Sequence, residues 1–166
     1  LGDVYKRQDK NSDRSNKEIY KDMVEELDWS VGRILETLKK YKLDENTFVV
    51  FFSDNGPVIN NGGSAGGYKG AKGSPWEGGH RVPGICYMPG TIKEGTTCEQ
   101  TVMSFDLFPT MLDMADIHYD DSKKKLDGTS LVPLFKGENL APRLLFWGNG
   151  NTVSYTHLTL PTKLEV

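Results

Sequence analysis

Apolar side chains recur every three or four positions between residues 19 and 38, as Ile19, Met23, Leu27, Val31, Ile34 and Leu38. That spacing lines them up on one stripe of a helix. Ser15-Asn16-Lys17-Glu18, just before it, has the form of a capping box. Lys39, Lys40 and Lys42 suit the negative end of the helix dipole. Gly32, inside the pattern, is expected to mark close packing. The period then changes. Residues 47–52 are an unbroken run of apolar and β-branched side chains, Thr-Phe-Val-Val-Phe-Phe. Such a run reads as a strand buried on both faces, as in a parallel sheet. A helix feeding a strand is half of a βαβ unit.

The later pattern is more broken. Residues 82–88 predict a second strand, short or irregular because Pro83-Gly84 interrupts it. Residues 100–103 predict a third. Asp106 is placed to cap a helix running to Asp116, with Pro109 tolerated in its first turn. Phe108, Met111, Leu112 and Ala115 then form its core face. Residues 120–125, Asp-Asp-Ser-Lys-Lys-Lys, read as a solvated linker, and residues 144–147 as a further strand of a following subdomain. No internal repeat is visible.

Candidate chemistry sits between the first two strands. Ser53-Asp54-Asn55-Gly56-Pro57 places an acid and an amide at the carboxyl end of a strand, where open α/β sheets bind ligands. Asp54 and Asn55 are adjacent hard oxygen donors of the type that suits Ca²⁺ or Mg²⁺. The same residues are also ordinary turn chemistry. Residues 66–84 follow, dense in glycine and carrying Lys69, Lys72, Glu77, His80 and Arg81. Glycine at this density permits close approach of backbone to a ligand. The cations can meet an oxyanion, and Glu77 can orient or neutralise one of them. Tyr68, Trp76 and two prolines argue against a flexible linker. An ATP-binding P-loop is excluded because Lys72 is followed by Gly73.

On these residues the chain resembles the formylglycine-dependent sulfatase family, within the alkaline-phosphatase-like superfamily. The matching stretches are 28–35 (Asp-Trp-Ser-Val-Gly-Arg-Ile-Leu), 46–56, 72–84 (Lys-Gly-Ser-Pro-Trp-Glu-Gly-Gly-His-Arg-Val-Pro-Gly), 106–110 (Asp-Leu-Phe-Pro-Thr) and 126–131 (Leu-Asp-Gly-Thr-Ser-Leu). Each alone is weak, but five in register cover most of residues 16–147. The resemblance implies an α/β fold: the later part of an α/β/α sandwich with a mainly parallel sheet, plus the start of a smaller C-terminal subdomain. It implies hydrolysis of a sulfate ester, on a sulfated glycan or an aryl sulfate. It implies Asp54 and Asn55 as ligands of Ca²⁺ rather than Mg²⁺, with Asp54 also taking a proton from the nucleophile. Lys72 would contact the sulfate. Glu77 and Arg81 would fasten the loop behind it, while His80, where the family commonly has an apolar residue, would stand on the surface or at the pocket rim, and Lys69 in solvent. It also implies a periplasmic or secreted protein.

The family's nucleophile motif, Cys- or Ser-x-Pro-Ser-Arg, does not occur in the 166 residues. Neither Cys86 nor Cys98 stands in such a context, so the formylglycine is expected outside this chain. Residues 1–8 and 153–166 do not fit the family pattern and resemble translated adaptor sequence, so both are expected to be non-native ends. Between them, residues 9–117 would belong to the catalytic α/β domain, and 118–152 to a linker and the start of the C-terminal subdomain. A formal net charge of -3 gives no basic footprint for nucleic acid. No apolar run reaches the length of a membrane span. Two other readings stay open. One is another alkaline-phosphatase-like phospho-ester hydrolase or transferase, for whose zinc pair His80 and His118 are too few ligands. The other is a non-catalytic homologue that binds sulfated glycans.

Overall fold

The computed structural model describes residues 14–122, 124–149 and 152–156. Its elements are α1 (Asn16–Lys40), β1 (Val49–Phe52), α2 (Glu77–His80), β2 (Gly84–Tyr87), α3 (Leu107–Met114), α4 (Val132–Phe135), β3 (Leu145–Asn149) and β4 (Thr152–Thr156). Helices and strands alternate over the first half, as an α/β chain should. The residues divide into two compact units. One holds the chain up to Cys86 together with Leu144 onward; the other is Tyr87–Arg143. The expected non-native end 1–8 lies outside the described residues, as does most of 153–166.

In the first unit, α1 begins where the sequence places it. The Ser15 hydroxyl accepts from the Glu18 N–H, and the Glu18 carboxylate accepts from the Ser15 N–H at 2.9 Å and from its hydroxyl at 2.8 Å. Both orphan donors at the helix start are thereby satisfied. The two Ser15 donors hold the Glu18 carboxyl below the usual carboxylate range. The predicted apolar stripe exists, but much of it faces solvent: Met23 is 56% exposed and Ile34 56%. Nor does Gly32 mark close packing, since nothing lies within 4 Å of where its Cβ would stand.

β1 is shorter than the predicted run and pairs with β2. Its Phe51 and Phe52 are exposed, so burial on both faces does not hold among the described residues. β2 starts at Gly84, directly after Pro83, whose ring supplies no N–H to a ladder. β3 and β4 form an antiparallel pair with Leu145 opposite Thr156 and Asn149 opposite Thr152. Leu145 is buried.

The second unit is organised on one carboxylate. Asp106 and Thr110 are its fully buried polar side chains. Asp106 accepts from the Met103 N–H at 2.7 Å, from the Thr129 N–H at 2.9 Å and from both terminal nitrogens of Arg143. Thr110 donates to the Asp106 carbonyl at 2.6 Å and accepts from the Leu131 N–H at 2.9 Å. Gly128 lies against the Phe105 carbonyl, where a Cβ would come within 2.2 Å. The 106–110 and 126–131 stretches are therefore the two halves of one buried junction.

Three expectations are corrected here. Asp106 stands at the start of α3 without capping it through its side chain; its oxygens go to Met103, Thr129 and Arg143 instead. The inward positions of α3 include Thr110, whereas Phe108 is 48% and Met111 50% exposed. Residues 100–103 form no strand. The Gln100 side chain instead accepts from the Leu140 N–H at 2.8 Å, which ties this stretch by a side chain rather than a ladder.

Candidate functional site

Asp54 and Asn55 leave β1 into a turn that its own side chains shape. The Ser53 hydroxyl donates to the Asn55 carbonyl at 2.9 Å, and the Asn55 amide nitrogen donates to the Gly56 carbonyl at 3.0 Å. That bond fixes the Asn55 side chain and leaves its Oδ1 as an acceptor. The exposed Asp54 carboxylate has no hydrogen bond or ion pair among the described residues.

The glycine-rich loop is clamped onto this turn by backbone. The Gly56 N–H donates to the Gly79 carbonyl at 2.8 Å, and the Lys72 N–H to the Pro57 carbonyl at 3.0 Å. Gly78 N–H reaches back to the Lys69 carbonyl at 2.8 Å. These contacts require glycine. A Cβ on Gly56 would stand 1.9 Å from the Gly78 oxygen, and one on Gly78 would stand 2.3 Å from the Gly70 oxygen. No side chain fits at such distances. Gly73, beside Lys72, has φ +83°, a left-handed conformation that favours glycine. Ser74 closes the inner turn, its hydroxyl accepting from the N–H groups of Ala71 and Trp76 at 3.3 Å each.

The result is an open pocket of about 310 Å³ walled by Asn55, Lys72, Ser74, Pro75, His80 and Trp147 together with glycine backbone. Asn55 and Lys72, predicted from opposite ends of the loop, meet in it. Asp54 stands next to Asn55 in the chain but does not wall the pocket. The ammonium of Lys72 has no ion pair among the described residues, whereas that of Lys69 lies 3.7 Å from the centre of the Trp76 ring. Lys69 is exposed, as expected, and its cation rests on the half-exposed Trp76 ring. Glu77 and Arg81 form an exposed pair at 3.4 Å, one turn apart, with the Arg81 guanidinium also over Tyr68 at 4.5 Å. Both are outside the pocket wall.

His80 and Trp147 were not singled out as a pair by the sequence. Their rings stack at 4.5 Å with 17° between planes. His80 Nε2 lies 3.2 Å from the Pro75 carbonyl. A carbonyl only accepts, so Nε2 is the donor in this contact and Nδ1 is the ring's other polar atom. Trp147 belongs to an apolar strand far along the chain, which reads as core until the fold brings it here.

The oxygen donors are of the type that suits a hard cation: a carboxylate without a partner among the described residues, and, in the next residue, an amide oxygen freed by its own NH₂ contact. Among the described residues no three His, Cys, Asp or Glu side chains cluster as a metal site. No helix among the described residues is long and apolar enough to cross a membrane.

The fold defines a segment of an α/β domain. The family model described as Sulfatase matches residues 3–117. Steryl-sulfatase of Homo sapiens is 38% identical over 134 residues, covering 76% of this chain and 23% of the relative. N-acetylgalactosamine-6-sulfatase of Canis lupus familiaris is 40% identical over 138 residues, covering 81% of this chain and 26% of the relative. Among solved structures, Ps i-CgsB in complex with k-i-k-neocarrahexaose is 36% identical with a TM-score of 0.71, over 78% of this chain and 29% of that one. The chain belongs to the sulfatase family, in the alkaline-phosphatase-like superfamily. It spans about a quarter of the length of the curated relatives it matches.

Proposed function

We propose that this chain supplies the later half of the active site of a sulfuric ester hydrolase acting on sulfated carbohydrate. The observation that carries this reading is the meeting of Asn55 and Lys72 in one pocket, with the Lys72 ammonium unpaired among the described residues and its loop locked by backbone hydrogen bonds. Sulfate ester cleavage gathers negative charge on the sulfuryl oxygens and on the leaving oxygen. A cation fixed beforehand at that place lowers the barrier, because no reorganisation is needed as the charge appears. Lys72 would bind the sulfate and stabilise that charge. Asp54 Oδ and Asn55 Oδ1 would hold Ca²⁺, which when bound polarises the sulfuryl oxygens. Asp54 would also take the proton released by the nucleophile. That nucleophile, a formylglycine, is expected from outside this chain, as are the remaining metal ligands. Glu77 and Arg81 would fasten the loop.

Carbohydrate is the favoured substrate class because the 36%-identical structure was solved with a neocarrahexaose and a 40%-identical relative is a sulfatase named for N-acetylgalactosamine. The steryl-sulfatase relative supports a second reading, an aryl or steryl sulfate. The test is steady-state kinetics of the complete enzyme carrying this segment. Lys72→Ala should lower kcat/KM for a sulfate ester by about 10²–10³, as loss of a preorganised donor does. Lys69→Ala should cost far less, because its ammonium is engaged with Trp76. If Lys69 mattered and Lys72 did not, the register of the loop would be wrong. Binding of the glycan without any turnover would show a non-catalytic homologue.

A further inference from the structure

The proposed chemistry uses Lys72, Asp54 and Asn55 and leaves one wall of the pocket without a role. That wall is the stacked pair His80 and Trp147. Three features make it more than packing. Both side chains are only partly buried and both border the same pocket as Lys72. The His80 ring is held from two directions, by Trp147 along its face and by the Pro75 carbonyl at Nε2. Pro75 lines the pocket too, so a rigid apolar surface stands beside the Lys72 cation.

We infer that the His80–Trp147 stack is the specificity wall that holds the ring bearing the sulfate, and that it selects a pyranose sulfate over an acyclic one. This rests on the proposed sulfate role of Lys72. A pyranose offers a face of C–H groups that an aromatic surface can cover, and hydroxyls that need polar partners. Trp147 and Pro75 supply the first. His80 Nδ1, the ring nitrogen that the Pro75 contact leaves unengaged, supplies a partner for the second. An acyclic sulfate would reach Lys72 but leave this wall unused. Aromatic side chains combine large contact area with a fixed geometry, which is why they serve as recognition surfaces.

The test compares galactose 6-sulfate with methyl sulfate as ligands of the 166-residue chain, by ligand-observed NMR titration. The wild-type chain should bind the sugar sulfate more tightly. Trp147→Ala should reduce that preference by about fivefold or more, the scale of a lost aromatic contact, and leave methyl sulfate binding unchanged. Trp147→Leu keeps an apolar side chain without a flat face and should give the same loss, so the test survives if the alanine variant does not fold. His80→Ala should reduce the preference in the same direction. An unchanged preference in the folded Trp147 variants, or equal binding of the two ligands by the wild type, would overturn the inference. Lys72→Ala separates the two readings: it should weaken both ligands alike. If Lys72→Ala leaves methyl sulfate binding intact while Trp147 variants still lose the sugar, the sulfate role of Lys72 fails and the wall stands.

Discussion

The two lysines of the glycine-rich loop show how a residue's role depends on what holds its charge. Lys69 and Lys72 are nearly equivalent in sequence, yet one ammonium lies on an indole ring and the other borders a pocket. The cysteines differ in a similar way. Burial pushes the Cys86 thiol up, while Cys98 is exposed. Since the thiolate is the reactive form, a maleimide or disulfide reagent at neutral pH should label Cys98 first and Cys86 slowly. Peptide mapping of the labelled chain would show the order, and faster labelling of Cys86 would contradict its placement. Asp106 joins the two halves of the second unit's buried junction. Replacing it by alanine strands the Arg143 guanidinium and two backbone N–H groups. Removing one partner of such a buried pair costs about 3–5 kcal/mol. Urea denaturation of Asp106→Ala should show a loss of that order, and a loss under about 1 kcal/mol would refute the junction.

At the level of elements, α1 carries a pH dependence with a definite sign. The Glu18 carboxyl is held low by the Ser15 hydroxyl and N–H. Its stabilisation of the helix start is therefore fully present above the ordinary glutamate range and is lost as pH falls through the lowered value. Amide exchange at the first turn of α1 should accelerate on acidification, and Glu18→Gln should blunt that response. An identical response in the variant would mean that the capping box is not the titrating device. The glycine clamp gives a second prediction. Gly78→Ala places a Cβ against the carbonyls of Gly70 and Lys69, so backbone must move. The cost should be on the order of 1–3 kcal/mol, as for other overpacked sites. Thermal melts would measure it, and an unchanged melting temperature would show that the loop accommodates the methyl group.

The elements were unequally legible in the sequence. The capping box and α1 rest on local chemistry, and local chemistry is what a sequence displays. Meeting of Asn55 with Lys72 was legible only through motif resemblance, since their approach depends on Gly56, Gly78 and Gly79 touching across the loop. The Asp106 junction was misread because a carboxylate before an apolar run looks like a helix cap. Its partners Thr129 and Arg143 lie too far along the chain for any local pattern to find them. Trp147 was hidden for the same reason. The apolar stripe of α1 was read correctly as a stripe, but burial belongs to whatever packs against it, and periodicity does not say what that is.

Taken as a whole molecule, the chain has a segment of the family's fold and no nucleophile motif in its 166 residues, and the proposed chemistry rests on Lys72, Asp54 and Asn55. The 166-residue chain alone should therefore release no sulfate from a chromogenic aryl sulfate above background, because a charge-stabilising pocket does nothing without an attacking group. It should bind Ca²⁺ weakly, since Asp54 and Asn55 fall far short of the six to eight oxygens that ion prefers. The decisive measurement is sulfate release and Ca²⁺ binding by the complete enzyme carrying this segment, with and without Asp54→Ala. The substitution is expected to abolish turnover and weaken Ca²⁺ binding together. Undiminished turnover, or micromolar Ca²⁺ binding by the 166-residue chain that survives Asp54→Ala, would contradict the proposed role of Asp54.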